Sequence, residues 1–122
     1  MTPALLLLLS VAGGVGAALR LLVDGVVRER LGARLPWGTA LINLTGSFVL
    51  GLLTGWAGHG LPEPVLLVVG TGLLGGYTTF STASVETIRL LQQRRYAASL
   101  GYGLGVLVLS VALALAGIAL TA

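Results

Sequence analysis

Four long apolar stretches separated by short polar segments set the pattern of this chain. The first runs over Ala4–Val23, and the segment Asp24–Pro36 that follows carries Asp24, Arg28, Glu29, Arg30 and Arg34 and reads as a polar loop. The second starts near Trp37, a residue type suited to a membrane interface, and ends near Ala57. Gly58-His59-Gly60-Leu61-Pro62-Glu63-Pro64 reads as a turn, since its glycines and prolines stop a helix on both sides. The third stretch extends from Val65 to about Arg95 and the fourth from about Tyr96 to Leu120. At roughly 20 residues for each crossing, this predicts an all-α membrane protein with four transmembrane helices and little else. Residues 1–122 are expected to form a single four-helix subunit.

One segment breaks the third apolar run: Gly75-Gly76-Tyr77-Thr78-Thr79-Phe80-Ser81-Thr82. An unsatisfied backbone group in hydrocarbon costs several kcal/mol, so irregular backbone survives at membrane depth only inside protein or along a wet path. The third span is therefore expected to be broken near Gly75–Thr79, with freed carbonyls and hydroxyls available to an ion.

Composition agrees with a membrane setting. The chain is 56% hydrophobic and 9% charged with a mean hydropathy of +1.00, against roughly 25% charged residues in a soluble domain. The first stretch lacks a basic leading region and is read as a spanning helix, not a cleaved signal. There is no cysteine, which excludes disulfides and thiolate metal sites. The net charge of +3 comes from seven Arg against four acids, with no base-stacking aromatics among the arginines, so no nucleic-acid surface is expected. Arg28, Arg30 and Arg34 lie in the first connection and Arg89, Arg94 and Arg95 in the third, with none at either terminus or in the second connection. The positive-inside rule then places the first and third connections in the cytoplasm and both termini outside.

Candidate chemistry concentrates on the second and third spans. Thr39, Asn43, Ser47 and Thr54 fall on one side of a helix and form a polar stripe roughly 22 Å long. Asn43 is its strongest member, because a primary amide inside a membrane needs partners; Ser47 and Thr54 read equally as helix-to-helix contacts. Gly13, Gly14 and Gly16 on the first span, and Gly46 and Gly51 on the second, read as packing glycines. Tyr77 and Phe80 flank the threonines, and a phenyl ring has a positive edge that can meet a small anion without trapping it. Tyr102 and Ser110 lie on one face of the fourth span and could line a path or pair with a neighbouring helix. Arg20 could snorkel, attract anions at a vestibule, or pair with Asp24 four residues on. No carboxylate lies in the middle of a span, which favours passive conduction over proton coupling. The chain shows no nucleophile–base pair or metal-ligand cluster, so no enzyme is expected.

Three stretches together resemble a known family: Gly13-Gly14-Val15-Gly16-Ala17-Ala18-Leu19-Arg20, Gly38-Thr39-Ala40-Leu41-Ile42-Asn43-Leu44-Thr45-Gly46-Ser47-Phe48, and Gly75-Gly76-Tyr77-Thr78-Thr79-Phe80-Ser81-Thr82. With the four-span layout they are similar to the Fluc (CrcB) fluoride channels over essentially the whole chain. The resemblance implies an antiparallel, dual-topology-type dimer of four-helix subunits with two narrow fluoride pores. It implies a structural sodium ion, not transported, on backbone carbonyls that fall on Gly75 and Thr78. It also implies a pore lined by Asn43, Phe80 and Ser81, with Thr79 and Ser110 further candidates. Family members often carry a second phenylalanine three residues after the first, and here that position is Ala83.

The expected function is passive fluoride export across the plasma membrane by a multi-pass protein in contact with lipid and with a second subunit, identical or paralogous. Two alternatives stand beside it. A small multidrug-type exporter, also a four-span dimer, needs a carboxylate in its first span, and Ala4–Val23 has none. A non-conducting assembly subunit would use the glycines and Asn43 for packing alone.

Overall fold

In a computed structural model that describes all 122 residues, the chain is all-helical. Four helical spans are long and apolar enough to cross a membrane: Pro3–Leu31, Trp37–Ala57, Glu63–Gln92 and Tyr96–Thr121. We call the first two α1 and α2. The third span is composite, with α3 (Glu63–Val65), a π-helical stretch (Leu66–Leu74), α4 (Gly75–Tyr77) and α5 (Phe80–Gln92). The last span is α6 (Tyr96–Thr121).

Local chemistry explains most boundaries. At the start of α1 the Thr2 hydroxyl accepts the Leu5 N–H at 3.1 Å, and Pro3 occupies the first turn, where its missing N–H costs nothing. The helix runs eight residues past the expected Val23 and stops only at Gly32, whose φ of 78° lies in the left-handed region. The segment expected as a loop from Asp24 is thus helical to Leu31. Leaving the apolar run does not end a helix; Asp24 and Arg28 pair at 3.1 Å one turn apart, and Gly32 is the first residue that stops it. Both bounds of α2 agree with the sequence reading. Between α5 and α6 the chain turns at Arg94, the one non-glycine residue at positive φ.

Two backbone-to-backbone seams hold the spans together. Where α1 crosses the third span, a Cβ on Gly16 would lie 2.0 Å from the Leu73 carbonyl oxygen, and one on Gly76 would lie 2.0 Å from that of Gly13. Where α2 crosses α6, a Cβ on Gly51 would lie 2.2 Å from the Ala114 carbonyl oxygen. Here the Thr121 hydroxyl donates to the Leu52 carbonyl at 2.9 Å. Lipid tails are as apolar as leucine, so close packing of small residues substitutes for a hydrophobic drive between spans. Large apolar side chains such as Leu7, Leu21, Val108 and Leu120 point outward, and only 15 of 122 residues are buried, so the packed interior is thin.

The first and third connections meet at one end, where the Arg95 guanidinium donates to the Arg34 carbonyl. All six connection-side arginines therefore belong to the same end of the bundle.

The seams predict a sharp contrast between neighbouring glycines. Gly76→Ala should destabilise the protein by about 1–3 kcal/mol or more, because backbone cannot yield to the added methyl. Gly14→Ala, with nothing within 4 Å, should be neutral or gain up to ~1 kcal/mol from helix propensity. Thermal melting of the two variants in detergent checks the pair.

Candidate ion pathway at the third span

Two threonines in extended conformation separate α4 from α5. Thr78 has φ −79° and ψ 159°, and Thr79 has φ −151° and ψ 118°. The three residues Gly75–Tyr77 are helical, so the non-helical backbone is confined to Thr78–Thr79. β-Branched residues tolerate extended backbone well, and each hydroxyl caps a neighbouring turn. Thr78 donates to the Leu74 carbonyl at 2.9 Å, and Thr79 Oγ1 accepts the Thr82 N–H at 3.1 Å.

The main-chain groups of Thr79 find their partner on α2. Asn43 Nδ2 donates to the Thr79 carbonyl at 2.8 Å, and the Thr79 N–H donates to Asn43 Oδ1 at 2.8 Å. A primary amide carries the donor and acceptor of a peptide group, so Asn43 pairs with Thr79 as a neighbouring strand would. Gly46, one turn on from Asn43, brings α2 close enough for this. A Cβ there would lie 2.3 Å from the Thr78 methyl. The Tyr77 hydroxyl lies 3.1 Å from that of Thr45, a further tie to α2.

Asn43, Thr78, Thr79, Phe80 and Ser110 come together in one groove of about 740 Å³ that also takes in Ser47, Ala83 and Tyr102. Phe80 is 81% exposed, an unusual position for a phenylalanine at the middle of a span. The Ser110 hydroxyl is buried and has no hydrogen-bond partner, although it lies at membrane depth. Two expected site residues stand apart from this groove: Ser81 is exposed beside it, 3.3 Å from Thr79 Oγ1, and Gly75 is exposed on α4. Of the rest of the polar stripe, Thr54 returns its hydroxyl to the Leu50 carbonyl at 2.8 Å. Arg20 does not pair with Asp24, which takes Arg28 instead, and Arg20 Nε is buried without a partner.

A smaller cavity of about 270 Å³ opens at the arginine-bearing end, lined by Asp24, Arg28, Arg34, Glu86, Arg89 and Gln93 among others. Glu86 lines this cavity and is tied to the groove through Tyr102. Thr39 donates to its Oε1 at 3.0 Å, and Tyr102, which lines the groove, donates to its Oε2 at 3.1 Å. The sequence pattern singles out Thr39 and Tyr102 but does not join them to Glu86. The three come from three helices, and no spacing along the chain joins them.

With that geometry in view, comparison with known proteins gives the family. Residues 7–118 match the family model described as CrcB-like protein, Camphor Resistance (CrcB). The chain belongs to the CrcB family. It is 54% identical to the fluoride-specific ion channel FluC 1 of Leifsonia xyli subsp. xyli, over 91% of this chain and 82% of that one. It is 45% identical to FluC 2 of Mycobacterium tuberculosis, over 86% of this chain and 81% of the relative. A CrcB relative in Caulobacter sp., named fluoride-specific ion channel FluC, is 37% identical over 93% of this chain and 91% of its own length. The resemblance drawn from the three motifs is thereby borne out, and with it a multi-pass membrane protein that is a transporter and not an enzyme.

The Glu86 cluster predicts coupling between residues far apart in sequence. Thr39→Val and Tyr102→Phe should each cost about 1.5–3 kcal/mol, as single hydrogen bonds to a carboxylate do. Because both act through Glu86, the double variant should depart from the sum by at least ~0.5 kcal/mol. A double-mutant cycle on unfolding in detergent measures it.

Proposed function

We propose that this chain is a subunit of a fluoride-specific channel of the plasma membrane that lets fluoride leave the cytoplasm passively. The observation that carries the reading is the groove at Thr78–Thr79, in a chain whose relatives are named for that activity. Fluoride enters a cell as the neutral weak acid and dissociates at cytoplasmic pH. An inside-negative potential then favours its exit by about 2.3 kcal/mol per charge per 100 mV, and no coupled ion is required.

The chain's own groups suit a small, strongly hydrated anion. Such an ion gives up water only for closely placed donors. Asn43 Nδ2 has a second N–H beyond the one given to Thr79, and the Ser110 hydroxyl is without a partner in the same groove. The exposed Phe80 ring offers its positive edge beside them. Ala83 leaves the groove wider at the position where a second ring is expected. Ser81 joins this set only through Thr79.

A structural sodium ion is part of the proposal, and the chemistry of the donors supports it. The N–H that would pair with the Gly75 carbonyl in a continuous helix is taken by Asn43, and the Thr78 carbonyl accepts no backbone hydrogen bond. Both are hard neutral oxygens of the kind that bind such a cation. Gly75 and Thr78 would hold it, and the bound charge would offset their partial negative charge at membrane depth.

We further propose that the channel is an antiparallel pair, since the wide groove and exposed Phe80 leave the pathway open on one side in a single subunit. A strong arginine bias fixes the orientation of this chain, with its first and third connections in the cytoplasm and its termini outside. That bias favours a paralogous partner of the opposite orientation over a second identical copy.

Two experiments test these readings. Purified protein in liposomes, alone or with the paralogue, should discharge a fluoride gradient and not a chloride one. Asn43→Asp should lower that flux by about a hundredfold or more, because a charge repels the anion in a low-dielectric site. Wild-type flux from the variant would remove Asn43 from the pathway. A topology reporter at the C-terminus should give signal from outside only; equal signal from both sides of the membrane would instead establish an identical pair.

A further inference from the structure

Asn43 is engaged by the backbone before any anion arrives. In a continuous helix the Thr79 N–H would donate to the Gly75 carbonyl, and the Thr79 carbonyl would accept from Ala83. In this structure both groups turn to Asn43, each at 2.8 Å, and neither helical bond is made. The next amide that could close the helix, that of Thr82, is held by Thr79 Oγ1 at 3.1 Å. The carbonyls of Gly75 and Thr78 are free of helical partners because of these side-chain bonds.

We propose that Asn43 is a positioning residue for a small hard cation: it draws the Thr79 N–H away and thereby keeps the Gly75 carbonyl available, beside the Thr78 carbonyl that Thr79 Oγ1 frees by holding the Thr82 N–H. The role rests on the sodium reading above and is separable from donation to fluoride. Oδ1 and one N–H hold the backbone, and Nδ2 keeps a second N–H on a residue that lines the groove. Without the side chain, a Thr79 N–H at membrane depth must find another acceptor, and the Gly75 carbonyl is the one its own helix offers. Closing that bond occupies the Gly75 oxygen and removes a cation donor. Asp in place of Asn still accepts the Thr79 N–H, whereas Ala cannot.

The test compares sodium-linked stability with fluoride flux. The purified protein is melted in detergent across a sodium series, with N-methylglucamine replacing sodium. The wild type is expected to rise in melting temperature with sodium. N43A should need about tenfold more sodium for half of the shift, or lose it, as removal of the two bonds implies. N43D should keep the sodium shift while losing fluoride efflux, a split that a purely anion-binding role would not give. Ile42→Ala, a core change on the same helix, should lower the melting temperature and leave the sodium shift intact. An unchanged shift in N43A, or loss of the shift in N43D or in Ile42→Ala, overturns the proposal. Should N43A not fold, amide hydrogen exchange on the wild type decides the clamp itself. A Thr79 amide protected despite lying outside a helix supports it, and exchange at the rate of an exposed amide overturns it. A wild type that ignores sodium while its Thr79 amide is protected refutes the sodium reading and leaves the clamp standing.

Discussion

In hydrocarbon every backbone N–H and C=O must find a partner, at several kcal/mol for each failure. Two extended residues in the middle of a span violate that requirement unless a neighbour supplies what the helix has lost. Asn43 supplies both bonds to Thr79, and the rest of the site depends on that. The glycine at position 46 lets α2 come near enough, the Tyr77–Thr45 contact holds the same crossing, and the threonine hydroxyls close the turns on each side. Take away the side-chain amide and the third span has every reason to close into one helix.

The seams answer the same constraint in another way. Apolar side chains gain little by leaving lipid for each other, so α1 meets the third span, and α2 meets α6, through glycines whose backbones nearly touch. That packing leaves the large residues outside and the interior thin. It also leaves Phe80 exposed beside the groove, which is the ground on which a second subunit is proposed.

Glu86 shows how a carboxylate is kept in such a fold. It lies well along the third span yet takes hydrogen bonds from Thr39 and Tyr102, and the arginine-lined cavity opens beside it. Glu86 lines the cavity and is held from two other helices, one of them through Tyr102 of the groove. In a passive channel this carboxylate needs no proton cycle. It gives the arginine-lined cavity a fixed acceptor, already engaged by Thr39 and Tyr102.

Much of this protein is legible in its sequence because hydrophobic length and helix breakers act locally. Four runs of apolar residues read as four spans, Trp37–Ala57 is bounded by its own interfacial and glycine residues, and the Gly-Gly-Tyr-Thr-Thr-Phe segment holds the irregular backbone, which is confined to Thr78–Thr79. The end of α1 lies beyond the expected Val23 because a change from apolar to charged residues does not by itself stop a helix. A helix continues until the chain itself forbids it, at Gly32. Asn43 could be singled out from sequence, since an amide in a membrane demands a partner, but the identity of that partner could not. The clamp on Thr79 and the Thr39–Glu86–Tyr102 cluster join residues 36, 47 and 16 positions apart. Such contacts follow from how close glycine seams let the helices lie. Sequence names the groups that must be satisfied, and only the packing of the spans decides which of them satisfy one another.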